Sequence, residues 1–113
     1  MDPAAIERLV QFGGKRLAVE MIDLFFDYAP KILTEAQSAL PAGDLRTLAR
    51  VGHSLRSSAR NLGANRLLVA AQAVERAATD QQTTQLPAQL AELAAAFQEV
   101  RAHLAKRRQE LAP

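Results

Sequence analysis

His53 stands in the stretch "RVGHSLRSSARNLGA", residues 50 to 64, one of only two histidines in the chain. From Arg46 to Arg66 there are five arginines and no acid; the nearest carboxylates in sequence are Asp44 and Glu75. On a helix, Arg50 and Arg56 lie three residues before and after His53, and Arg46 and Arg60 lie seven before and after. Those offsets put all four cations on or beside its face. Ala49 and Ser57, four residues to either side, are small and clear the approach to the ring. Neighbouring guanidinium groups penalise a second positive charge, which favours the neutral imidazole. A neutral imidazole nitrogen is a competent nucleophile toward phosphorus. Once it carries a phosphoryl group the position becomes anionic, and the same arginines become partners for it.

A helix must carry this constellation, and its apolar seam fixes which way His53 points. Leu45, Leu48, Gly52, Leu55, Ala59 and Leu62 recur at three- and four-residue intervals, the spacing of a face turned to a core. At about 100° per residue, His53 falls roughly 130° from the middle of that seam and points mostly outward. Asp44 is placed to cap this helix and Gly63 to end it.

The remaining helices read from the same signals. Asp2 and Pro3 open a short first helix that ends near Phe12, before Gly13 and Gly14. A longer one runs from about Lys15 to Leu40 with Leu17, Met21, Leu24, Phe25, Tyr28, Ile32 and Leu33 at helical spacing. Pro30 lies inside it and is expected to kink or interrupt it. Another runs from about Asn65 to Thr79, the polar "TDQQTTQL" is a loop, and Pro87 opens the last helix. Four long amphipathic helices on short joints predict an all-α fold, an antiparallel four-helix bundle with an additional short N-terminal helix, as one domain over residues 1–113.

Composition excludes several functions. There is no cysteine, so neither a thiolate metal site nor redox chemistry is expected. There is no phosphate-binding glycine loop, so the chain is expected neither to bind ATP nor to phosphorylate itself. The N-terminus lacks a signal-peptide layout and no apolar run is long enough to cross a bilayer, which predicts a cytoplasmic protein without membrane insertion. His103 reads as surface or helix-end chemistry, and "KRR" at 106–108 reads as helix-end charge. Asp23 and Asp27 read as solvation of the second helix, and Phe25, Phe26, Tyr28 and Phe97 as packing.

"GHSLRSSARNLGANRL" resembles the signature of histidine phosphotransfer (HPt) domains: His, any residue, Leu, Lys, Gly, Ser, with Leu-Gly-Ala a few residues on. The resemblance extends upstream through "LFFDYAPKILTEAQSALPAGDLRTLARVGHSL" and downstream to "AVERAA". It implies a relay intermediate without autokinase activity, whose His53 accepts a phosphoryl group from an aspartyl phosphate on one receiver domain and donates it to another. It implies Arg56, with Arg50 and Arg60, as stabilisers of the phosphoryl group. Ala49, Gly52, Ser57 and Glu75 become candidates for receiver docking. Response-regulator receiver domains and a hybrid sensor histidine kinase are the implied partners, with no nucleic acid and a monomeric state. No cofactor is expected on this chain, magnesium belonging to the partner receiver.

Four positions differ from the pattern. Arg56 replaces the usual lysine, keeping the charge but exchanging a point donor for a planar fork. Ser57 replaces glycine and adds a hydroxymethyl group to the approach. Gly52, where alanine is more usual, costs about 1 kcal/mol of helix stability, for which closer helix packing is the expected return. Glu75 takes the place where some members carry glutamine. Two other readings share the residues: a receiver- or protein-binding helical adaptor that does not transfer phosphate, and a basic nucleic-acid-binding domain using the arginine window, which lacks aromatic stacking residues.

Overall fold

In the computed structural model, which describes residues 1–112, the chain forms four helices: α1 (Pro3–Ala42), α2 (Leu45–Leu62), α3 (Asn65–Thr79) and α4 (Leu86–Leu111). Each packs on the next, and α1 also packs on α4, so the four close into an antiparallel bundle about 45 Å long and 20 Å wide. Connections of two residues at 43–44 and 63–64, and of six at 80–85, leave no freedom for any other order.

The sequence signals at the helix ends act as expected. Asp2 caps α1, its carboxylate accepting from the Ala4 N–H at 3.0 Å. Asp44 caps α2, accepting from the Thr47 N–H at 3.1 Å and from the Thr47 hydroxyl at 2.6 Å. Gly43 and Gly63 end α1 and α2 in the left-handed region, at φ 68° and 70°. The expected break between the short N-terminal helix and the long one falls at Gly14, whose φ of 80° and ψ of 177° leave the helix and let it resume.

Pro30 does not interrupt α1: Gly14 is the one residue inside the helix with non-helical dihedrals. Ala29, Ile32 and Leu33, on either side of the proline, are buried in the core, and their packing holds the helix across the missing N–H. The helix also runs two residues beyond Leu40, through Pro41 to Ala42, because the Gly43 N–H reaches back to the carbonyls of Ala39 and Leu40.

The core is apolar and mostly aliphatic. Ile22, Leu48, Leu55, Leu67, Val74, Leu93, Val100 and Leu104 are buried, and no buried residue among those described is polar or charged. Phe25 and Phe97 meet across α1 and α4 with centroids 5.6 Å apart, as core aromatics. The segment before Gly14 closes the end of the bundle: Ala5 and Ile6 are buried, and the Asp2 N–H donates to the Gly63 carbonyl at 2.9 Å.

Ion pairs fasten the surface. Arg108 on α4 grips both carboxylate oxygens of Asp23 on α1, at 2.6 and 3.0 Å, holding that carboxyl below the usual carboxylate range. Part of "KRR" thus ties two helices together instead of merely ending one, and Asp23 is its partner, not a solvating group. Arg66 at the start of α3 bridges Glu92 and Glu99 on α4, and Glu92 is lowered by the same contact.

Candidate functional site

Helix α2 turns its apolar seam inward, with Leu48, Val51, Gly52, Leu55, Ala59 and Leu62 buried. The seam leaves His53 on the outer face, its side chain 60 % exposed. Ser57, one turn on, is exposed, Ala49, one turn back, is half-buried, and Arg46 and Arg60 are exposed on the same helix.

The electrostatic surroundings differ from the all-cationic picture of the sequence. Glu75 arrives from α3, and its Oε2 lies 2.9 Å from His53 Nδ1. Its other oxygen, Oε1, is 3.3 Å from Arg56 Nη1, and Arg56 Nη2 is 3.0 Å from His53 Nδ1. The window without acids is a property of the chain, not of the space around the ring, because α3 supplies a carboxylate 22 residues further on.

Gly52 is what lets that carboxylate in. A Cβ built on it would lie 2.7 Å from the Glu75 N, 2.9 Å from the Ala71 carbonyl oxygen and 3.0 Å from the Glu75 Cα. All three are backbone atoms that cannot step aside, so α2 and α3 approach this closely only with glycine at 52. The residue that looked costly to the helix is the one that sets His53 against Glu75.

Two contacts at one nitrogen decide the tautomer. Nδ1 can donate to Glu75 or accept from Arg56, but not both, and the carboxylate is the stronger partner. With Nδ1–H given to Glu75, the lone pair rests on Nε2, to which no side chain among the described residues is hydrogen-bonded. The ring is oriented by Glu75, and its side chain remains largely exposed.

The other expected phosphoryl partners lie differently. Arg50 is turned to α1, where its Nη2 donates to Glu35 at 2.6 Å. Arg60 has no ion-pair partner among the described residues. Sequence reasoning did not find Glu35, since no local spacing connects α1 to Arg50.

Two hollows border α2 beyond His53. On the α1 side, Met21, Leu24, Phe25 and Tyr28 line a shallow apolar hollow with Ser58, Asn61 and Leu62 of α2, and Leu24 is 62 % exposed. On the α3 side, an open groove runs past Arg56, Glu75, Val69, Gln72, Ala73 and Arg76. His103 is far along α4, beside Met1, Asp2 and Pro3 in another groove, apart from all of this. No group of three or more histidine, cysteine or acidic side chains that could hold a metal occurs among the described residues, and none of the described helices is long and apolar enough to cross a membrane.

Comparison with known proteins agrees with this geometry. No curated protein sequence matches the chain. Among solved structures it is similar to histidine-containing phosphotransfer protein B (HptB) from Pseudomonas aeruginosa PAO1, with a TM-score of 0.91 at 24 % identity, covering 97 % of this chain and 95 % of that one. At that identity the likeness speaks for the fold. The Hpt domain family model matches residues 20–103, from the middle of α1 to His103 on α4 and across the whole of α2 and α3. A match over most of the chain, on a four-helix bundle with an oriented and exposed histidine, means that the chain belongs to the Hpt domain family, the histidine phosphotransfer domains of phosphorelays.

Proposed function

We propose that His53 is the phosphoacceptor, taking a phosphoryl group from the aspartyl phosphate of one receiver domain and passing it to the aspartate of another. The observation that carries this reading is the orientation of the ring: exposed, with Nδ1 committed to Glu75 and Nε2 open.

In the accepting step the Nε2 lone pair attacks phosphorus, the P–O bond of the acyl phosphate breaks, and the aspartate carboxylate leaves with that electron pair. Positive charge grows on the imidazole as the bond forms, and the Glu75 carboxylate beside Nδ1–H stabilises it. Arg56 supplies charge-assisted donors for the phosphoryl oxygens, and Arg60 adds unpaired positive charge on the same helix. The donating step is the reverse: an incoming aspartate attacks phosphorus and the P–N bond breaks toward Nε2. Magnesium is expected on the receiver, not on this chain.

A receiver must come close enough to place phosphorus in line with Nε2, about 3 to 3.5 Å away. Ser57 lies under that approach, with Ala49 keeping the opposite side low, whereas Gly52 is buried against α3 and offers no docking surface. The exposed Leu24 with Met21 and Tyr28 offers the apolar ledge on which an incoming helix can rest. The experiment is transfer from a phosphorylated receiver to the purified chain, in the wild type and in His53→Gln. The wild type is expected to gain an acid-labile phosphoryl group and His53→Gln none, with equal helical circular dichroism; labelling of His53→Gln would refute the assignment.

A further inference from the structure

Resting on the reading of His53 as phosphoacceptor, we propose that Glu75 sets how long the phosphoryl group stays there, by competing with it for the Arg56 guanidinium. Glu75 thereby acts as a positioning residue that biases the domain toward passing phosphate on over storing it.

Arg56 is loosely held. Its one ion pair is the 3.3 Å contact with Glu75. Its Nη2 points at Nδ1, which has no lone pair to offer once Nδ1–H is given to Glu75. Its Nε is buried without a side-chain or backbone acceptor. A guanidinium with five donors and a single long ion pair is poised to move to a better acceptor, and a phosphoryl group on Nε2 presents three anionic oxygens on the same ring.

Glu75, in contrast, cannot withdraw. Its backbone is pressed against Gly52, and its side chain is only 22 % exposed. After phosphorylation two anions therefore flank one guanidinium. The other cations of α2 do not relieve the competition: Arg50 is taken by Glu35 of α1, while Arg46 and Arg60 lie two turns away along the helix. From α3, Arg76 lines the groove beside Arg56 and Glu75 and has no ion pair among the described residues. Whatever time Arg56 spends on Glu75 it does not spend on the phosphoryl oxygens, and the phosphoryl group is that much easier to lose.

The test needs no receiver. Phosphoramidate labels the full chain directly: Nε2 attacks phosphorus, the bond from phosphorus to the protonated amino nitrogen breaks, and ammonia leaves with that electron pair. Once the reagent is removed, water attacks phosphorus, the P–Nε2 bond breaks with its pair returning to Nε2, and inorganic phosphate is released with the water's proton going to solvent. Phosphorus NMR follows the decay. Glu75→Gln keeps an oxygen acceptor for Nδ1–H at nearly the same size and removes only the charge. Its phosphohistidine is expected to live about two- to fivefold longer, the ratio that a partly exposed ion pair can impose. Arg56→Ala is expected to shorten the life, and the double variant to decay like Arg56→Ala, because Glu75 acts through Arg56. An unchanged or shorter life in Glu75→Gln would overturn the proposal, as would a double variant that outlives Arg56→Ala by the same factor. A wild-type chain that takes no label on His53 would overturn the phosphoacceptor reading itself, so the two failures are distinct.

Discussion

Gly52→Ala sets two physical effects against each other at one atom. Helix propensity favours the substitution by about 1 kcal/mol, since alanine is the best helix former and glycine among the worst. Against it stands the new Cβ, which would lie 2.7 Å from the Glu75 N and 2.9 Å from the Ala71 carbonyl oxygen. Ordinary contact begins at about 3.4 Å, so α2 and α3 must part by roughly 0.7 Å. Overpacking that can be relieved only by moving backbone costs about 1 to 3 kcal/mol. The clash outweighs the propensity, for a net loss on the order of 1 kcal/mol, which in a domain of this size lowers Tm by about 4 to 8 °C.

The same displacement reaches the site. Drawing the helices apart by roughly 0.7 Å stretches the 2.9 Å contact between His53 and Glu75 to about 3.6 Å, beyond hydrogen-bonding distance. The assay is thermal unfolding by circular dichroism together with the nitrogen NMR spectrum of the His53 ring. The expected result is a lower Tm and a ring no longer confined to one tautomer. A Tm raised by the propensity gain, with the ring spectrum unchanged, would show that α3 yields freely and that Gly52 does not hold Glu75 in place.

Gly63→Ala is expected to destabilise further, because Gly63 has a φ of 70° and a Cβ there would lie 2.7 Å from Ala5 Cβ and from the Asp2 carbonyl oxygen; the check is a fall in Tm that partly disappears when residues 1–12 are removed from both proteins. Ser57→Gln keeps a good helix former on an exposed turn and is expected to preserve Tm while sharply weakening receiver binding by calorimetry; unchanged binding would mean that the receiver approaches over another face. Asp23, Asp44 and Glu92 all have carboxyls lowered in the folded state, by Arg108, by Thr47 and by Arg66 respectively. A lowered carboxyl stabilises the fold above its unfolded value and loses that contribution as pH falls through the folded one, so Tm is expected to hold near neutrality and to drop below about pH 4. A Tm that falls already between neutrality and pH 5 would point to another titrating group.

The helices were legible because their signals are local. Asp2, Asp44, Gly43 and Gly63 act through hydrogen bonds within four residues, and the seam from Leu45 to Leu62 is a matter of period. Pro30 misled for the complementary reason: its penalty is local, but Ala29, Ile32 and Leu33 answer it from the core, through contacts with other helices. The outward direction of His53 was legible from the seam of its own helix, and it is the one the structure has. Glu35 and Glu75 could not be placed that way, since both meet α2 across helix interfaces.

Gly52 shows how such a nonlocal contact leaves a trace in sequence. A residue that weakens its own helix by about 1 kcal/mol persists in a stable fold only where something outside the helix repays it. On a helix whose next residue is the candidate nucleophile, the repayment has to come from the neighbouring helix at that level. That neighbour is α3 at Glu75, whose backbone fills the space a Cβ would need. The glycine that breaks the helical rule therefore points across the interface to the carboxylate that orients the histidine. Local charge reasoning around His53 was incomplete by that one group, and the helix-propensity defect beside it marked the direction from which the missing group arrives.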